Sequence, residues 1–138
     1  MLLRGFLATL LLAVSVFSAW ADDTPALQGA WQLQSGEFLD KDGARIDYAS
    51  QKLAGTKLLA DGRFAFTTTR DGKFWAGGSG TYTAGAGRYV EIPQMASYPL
   101  ENGGRYEFRY TLEGDVWTLE RWEGERRVER EVWQRVSR

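Results

Sequence analysis

The chain of 138 residues contains no cysteine and no histidine. The first absence rules out a disulfide scaffold and a cysteine nucleophile. The two together rule out zinc or haem held through either residue, and the missing histidine rules out a Ser-His-Asp triad. Charge of one sign is lacking too, with 17 basic side chains against 18 acidic. Nucleic acids and anionic membranes are met by basic surfaces that release counterions, so neither is the expected partner. What the chain has in quantity is ring structure and glycine: 6 Trp, 6 Tyr, 7 Phe and 16 Gly in a composition that is 43% hydrophobic. That is the composition of a packed fold, not of a disordered segment.

Residues 1–21 read as a leader outside the fold. Arg4 gives a short positive start, Gly5 to Phe17 is apolar or small throughout, and Ala19-Trp20-Ala21 has the small-x-small pattern that a signal peptidase recognises, with Asp22-Asp23 following at once. The apolar run is shorter than the roughly 20 residues of a spanning helix. The expected mature chain is therefore 22–138, a single domain, periplasmic or secreted, cleaved after Ala21. Loss of Arg4 leaves it slightly acidic, and without cysteine in an oxidising compartment it is held by its core alone.

From Asp42 onward turn signals recur at short intervals: Asp42-Gly43, Asp61-Gly62, Asp71-Gly72, Gly85 to Gly87, Asn102-Gly103-Gly104, Gly114-Asp115 and Glu123-Gly124. Asp-Gly and Asn-Gly suit hairpins, whose two central residues need positive φ. Between the turns the chain alternates with period 2, most clearly in Arg105-Tyr106-Glu107-Phe108-Arg109-Tyr110-Thr111-Leu112. The strands expected are 29–38, 44–48, 55–60, 63–70, 74–83, 88–95, 105–113 and 116–122, with 126–136 as a ninth if the weak 44–48 run is real; 48–54 has room for one helical turn. No βαβ spacing occurs, so the sheet is antiparallel. The fold class expected is all-β, an up-and-down barrel of about eight strands, because closure removes the edges of a meander. A two-sheet sandwich competes, though Greek-key crossings need longer connections than most of these turns provide.

Leu27-Gln28-Gly29-Ala30-Trp31 opens the first strand with Gly-x-Trp, Gly80-Thr81-Tyr82 stands in the middle, Tyr89-Val90-Glu91 follows, and Trp133-Gln134-Arg135 closes the chain. In this order the four elements resemble the lipocalin-like family of small exported bacterial proteins, over essentially all of residues 27–136. The resemblance implies a barrel with a ligand-sized interior and says little about the ligand. It also implies that Trp31 plugs the closed end and that Arg135 lies across it. Such a cation–π contact is worth about 0.5–2 kcal/mol and serves closure rather than binding.

Phe64, Phe66, Tyr82, Tyr106, Phe108, Tyr110 and Trp117 are the candidate interior residues, either filling the barrel solidly or lining a cavity. Residues 22–138 contain only Ile46 and Ile92 as isoleucines, and Tyr and Trp bring polar groups that need partners when buried, which favours a cavity over a core chosen for packing. Tyr89 and Glu91 share a strand face that the family pattern marks as inward, and a buried carboxylate there needs a donor. Arg121, on the face of Trp117 and Leu119, is the better interior candidate than Arg109. The last strand is ambiguous, since Val128, Val132 and Val136 favour one face inward and Trp133 and Arg135 the other.

Asp40-Lys41-Asp42-Gly43 begins like a calcium loop but has Gln51 where a bidentate Glu is required, so it reads as a turn. Gly77-Gly78-Ser79-Gly80 precedes a strand, not a helix, and reads as a bulge or barrel corner rather than a phosphate cradle. The sign-mixed run Glu125 to Glu131 reads as a solvated, salt-bridged strand. The expected function is non-catalytic binding of a small apolar or amphipathic molecule in the barrel, without metal or cofactor. Two other readings stand beside it: a protein-interaction module working through loop 96–104, with Tyr98 and Leu100 exposed, and an enzyme pairing Glu91 with a tyrosine.

Overall fold

The computed structural model describes residues 21–138, so the expected leader, apart from Ala21, lies outside the described residues. Nine strands follow a short 3-10 turn at Thr24–Leu27: β1 Gly29–Leu39, β2 Arg45–Asp47, β3 Leu53–Ala60, β4 Arg63–Arg70, β5 Lys73–Gly85, β6 Arg88–Ala96, β7 Tyr106–Glu113, β8 Val116–Glu123 and β9 Arg126–Ser137. From β3 to β9 each strand pairs antiparallel with the next in sequence, β1 pairs with β3, and β9 returns to β1. This is a closed, up-and-down, eight-stranded antiparallel barrel. The weak 44–48 run is real but stands outside the ring, as β2 pairs only with Glu37–Leu39 at the far end of β1. The expected helical turn at 48–54 is a pair of tight turns closed by Gln51 N–H to Tyr48 and Lys52 N–H to Ala49, after which β3 begins.

The hairpin chemistry follows from the residues. Asp61 and Gly62 both have positive φ, at 49° and 71°, as do Asp71 and Gly72, at 51° and 74°. Aspartate tolerates this region and glycine is at home in it, so the right-handed twist of the flanking strands continues through each turn. At the glycine-rich stretch of β5 the ladder is bulged on the partner strand: Ser79 pairs with Met95 and Gly80 with Pro93, so Gln94 of β6 is the extra residue. A Cβ on Gly80 would run into the Ile92 carbonyl. Among Asp40 to Ala44, the Asp40 carboxylate accepts from Asp42 N–H at 2.9 Å and Ala44 N–H at 2.8 Å, a turn of the expected kind.

One end of the barrel is closed. The turns at 61–62, 86–87 and 114–115 lie there with both chain ends of the barrel, and residues 22–28 cross beneath it. Trp31 is fully buried, its indole N–H donating to the Leu27 carbonyl at 2.9 Å. Arg135 lies 4.2 Å from the Trp31 ring centroid. The same guanidinium donates to the carbonyls of Gln28 and Ala26 and to Asp115. Above this plug Leu59, Phe64, Tyr82, Tyr89, Trp117 and Leu119 pack into a solid layer. Trp117 sits between Trp31 at 5.2 Å and Tyr89 at 4.9 Å, the latter edge-on. The opposite end is open, ringed by the β1–β3 connection, the β4–β5 turn, the β6–β7 loop and the β8–β9 turn.

β9 resolves in favour of its aromatic face. Trp133 stands opposite Trp117 and Arg135 opposite Trp31, whereas Val136 points into solvent. Trp133 and an arginine that fits the plug decide the face, while Val128, the extra residue of a bulge against β8, is buried as well. No helix among the described residues is long and apolar enough to cross a membrane.

Candidate functional site

The open half of the barrel holds a cavity of about 460 Å³. Leu33, Lys57, Phe66, Glu91, Phe108, Glu131 and Trp133 line its depth, and Tyr48, Trp75, Tyr98, Tyr106, Arg121 and Glu129 its upper wall and mouth. Strand alternation brings them together: Lys57 faces inward with Gly55 and Leu59, Glu91 with Tyr89, Arg121 with Leu119, and Glu131 with Trp133. The register fixes their heights, since Lys57 is opposite Phe66, Glu91 opposite Tyr106 and Arg121 opposite Glu129.

At the floor the Lys57 ammonium meets Glu91 at 2.7 Å, with 6% and 8% of the two side chains exposed. Tyr89 donates its hydroxyl to the same carboxylate oxygen at 2.8 Å. Four rings surround the ammonium, Trp133 at 5.2 Å, Trp117 at 5.4 Å, Tyr89 at 5.7 Å and Phe66 at 5.8 Å from their centroids. Burial works against the lysine charge, but the attraction of Glu91 and then Glu131 outweighs it and holds the ammonium above its ordinary value. Burial, followed by the charge of Glu91, raises the Tyr89 hydroxyl well above the ordinary phenol range, so it remains a donor. The Trp117 indole N–H beside this cluster has no hydrogen-bond partner among the described residues.

Higher on the wall, Arg121 pairs with Glu129 at 3.0 Å and reaches Glu123 at 3.4 Å. Glu131 lies between the two ion pairs and, among the described residues, accepts only from neutral donors, the Trp133 indole at 2.8 Å and the Tyr48 hydroxyl at 3.2 Å. Tyr48 also lies 3.1 Å from Glu129. Burial, and then repulsion from Glu129, push the Glu131 carboxyl up to about 7 against the pull of Lys57. In a chain without histidine, this carboxyl supplies a titration near neutrality. Gly36 makes room for the arrangement, because a side chain there would collide with the Tyr48 ring that covers it.

The expected site residues divide by depth. Phe66, Glu91, Tyr106, Phe108 and Arg121 line the cavity, and Tyr89 forms its floor. Phe64, Tyr82, Tyr110 and Trp117 do not line it and belong to the closed half. Tyr82 donates its hydroxyl to the Thr24 carbonyl at 2.9 Å and Tyr110 donates to Asp23 at 2.6 Å. The hydroxyls that pointed to a polar cavity thus anchor the strap at 22–28. The donor for Glu91 is Lys57, not Arg121. Glu125 to Glu131 is not solvated throughout, as Glu129 and Glu131 turn inward with Trp133. Tyr98, expected to be exposed, folds over the mouth against Phe66 at 6.2 Å, whereas Leu100 does remain exposed. Lys57, Glu129, Glu131 and Tyr48 were missed as site residues. Period 2 gave a signal for two of them, since Lys57 alternates with Leu59 and Glu131 with Trp133.

Among the described residues, no group of three or more Asp or Glu is arranged to hold a metal ion. A scan against protein-family models and a search of curated proteins find no match to this chain.

Proposed function

We propose that this protein binds a small amphipathic molecule in the open half of its barrel and performs no chemistry on it. The observation that carries the reading is the cavity of about 460 Å³, within the range of small-molecule sites, walled by rings with a few fixed polar groups. A barrel evolved only as a scaffold has no use for an unfilled half, since about eight strands enclose just enough room for side chains to pack solid. The polar groups of the floor are already bonded to one another, which suits holding a ligand more than attacking it.

The test is titration with the neutral fluorescent probe N-phenyl-1-naphthylamine, with Trp133 as energy donor. One saturable site is expected. Failure to saturate sinks the carrier reading. It favours a second one, in which a protein partner covers the apolar side chains around the mouth, where Phe74 is 65% and Leu100 47% exposed. We further propose that the protein works after export, on the strength of residues 1–21. Intact mass of exported material beginning at Asp22 supports this, and a membrane-bound chain retaining Met1 refutes it.

A further inference from the structure

The carrier reading leaves open which amphiphile enters, and the charge arrangement of the cavity narrows it. Two cations and three carboxylates line the wall. Lys57 is committed to Glu91 at 2.7 Å and packed among four rings, and it attracts Glu131 through space without forming an ion pair with it. Arg121 is committed to Glu129 at 3.0 Å and shares its other arm with Glu123. The third carboxylate, Glu131, forms no ion pair with any cation among the described residues. Its two neutral donors include a tyrosine hydroxyl shared with Glu129, and a hydroxyl has one proton to give. The cluster is therefore short of one positive charge and at least one donor, in a wall otherwise built of Leu33, Phe66, Phe108 and Trp133.

Carboxylates on a surface would mean little. These face a cavity large enough for a ligand and open at one end. Resting on the carrier reading, we propose that the cavity takes an amphiphile with a cationic amine head, the ammonium bonding to Glu131 and Glu129 beneath Tyr48 and the apolar chain lying among the rings towards the mouth. An ammonium offers three donors and a charge, and it gains from the neighbouring Trp133 face. A fatty-acid carboxylate meets the opposite situation. It enters a wall already rich in carboxylate, and the one deep cation is locked into an ion pair that must break before it helps.

The groups facing Glu131 from the surrounding elements are Glu129 on β9, Arg121 on β8, Lys57 on β3, Glu91 and Tyr89 on β6, and Tyr48 in the connection before β3. None is a histidine, so acidification towards neutral acts on the carboxylate outside the two ion pairs. Its protonation removes the charge that an ammonium would meet, and amine binding weakens as pH falls.

Decylamine, decanol and decanoate, titrated at pH 6 and pH 8 with tryptophan fluorescence as readout, test this. Decanol binding equally at both pH values reports the cavity alone. Decylamine is expected to bind at least tenfold tighter than decanol at pH 8 and to lose about tenfold at pH 6, as follows for a carboxyl near 7. Decanoate is expected to bind more weakly than decanol. Glu131→Gln, which keeps bonding capacity to Trp133 and Tyr48, should abolish both the preference for decylamine over decanol and its pH dependence. Decanoate matching or exceeding decylamine overturns the proposal while the carrier reading stands, as does wild-type decylamine binding that ignores pH. Absence of binding by all three overturns both.

Discussion

Single side chains at the two ends of this barrel do opposite work. At the closed end Trp31 and Arg135 form one unit, and its members should show energetic coupling. Trp31→Ala removes a fully buried indole and is expected to destabilise by about 3–5 kcal/mol. Arg135→Ala removes the cation over that indole and leaves the Ala26 and Gln28 carbonyls short of a donor, a smaller loss of about 1–3 kcal/mol. Denaturant melts of both single variants and the double variant should reveal a coupling of about 0.5–2 kcal/mol, and strict additivity would show that the ring and guanidinium do not interact. At the open end Glu131 makes stability depend on pH in an unusual direction. Its carboxyl is raised from 4.5 to about 7 on folding, so the folded chain binds the proton more tightly than the unfolded chain does. The contribution is fully present below about 4.5 and is lost as pH rises to about 7, where stability levels off. A loss of about 3 kcal/mol across that window is expected, and Glu131→Gln should flatten it in melts run from pH 4.5 to 8. A wild-type profile that rises through the same window would contradict the assignment.

The strands were legible because their alternation is plain and their turns are chemically explicit. Legibility failed where one strand face carries charge. In β9 the inward sequence is Glu129, Glu131, Trp133, Arg135, and hydrophobicity alone prefers Val128, Val132 and Val136. The rule that charged side chains point outward is broken because β8 and β3 deliver Arg121 and Lys57 to the same space, a fact of pairing register that no single strand contains. The β6–β7 loop misled for a related reason, since Tyr98 finds Phe66 on another strand. The glycine run of β5, in contrast, marked the right place, although the extra residue of the bulge is Gln94 on β6. Gly80 lies opposite the β6 bulge and so close to the Ile92 carbonyl that Gly80→Ala must move backbone, and a loss of about 1–3 kcal/mol is expected in thermal or denaturant unfolding. Gly43, in an open turn with nothing within 4 Å, is the matching control for contact, although its φ of 79° adds its own local strain to a substitution. Equal losses at the two positions would mean that the bulge is looser than its geometry states.

At the scale of the whole molecule, closure of the sheet explains why the described residues are almost all in strands. The return of β9 to β1 leaves a ring without exposed edges, and the plug of Trp31, Arg135 and the strap at 22–28 seals one end. The aromatic-rich composition announced an interior, but not its division. That depends on which tyrosines spend their hydroxyls on the strap, as Tyr82 and Tyr110 do, and which face the cavity, as Tyr106 does. The division is open to test by adding volume at matched positions in each half. Phe108 lines the cavity, so Phe108→Trp has space to grow into and is expected to weaken binding of a neutral probe several-fold with little change in the unfolding midpoint. Phe64 lies in the solid layer, 2% exposed, and Phe64→Trp is expected to overpack, costing about 1–3 kcal/mol. Probe binding should be retained in the molecules of that variant that remain folded. If the two substitutions destabilise equally and neither changes probe binding, the interior is uniformly packed and the open half is not a site. If the Phe108 variant alone loses the probe, the upper barrel is where the ligand sits and the lower barrel is what holds it open.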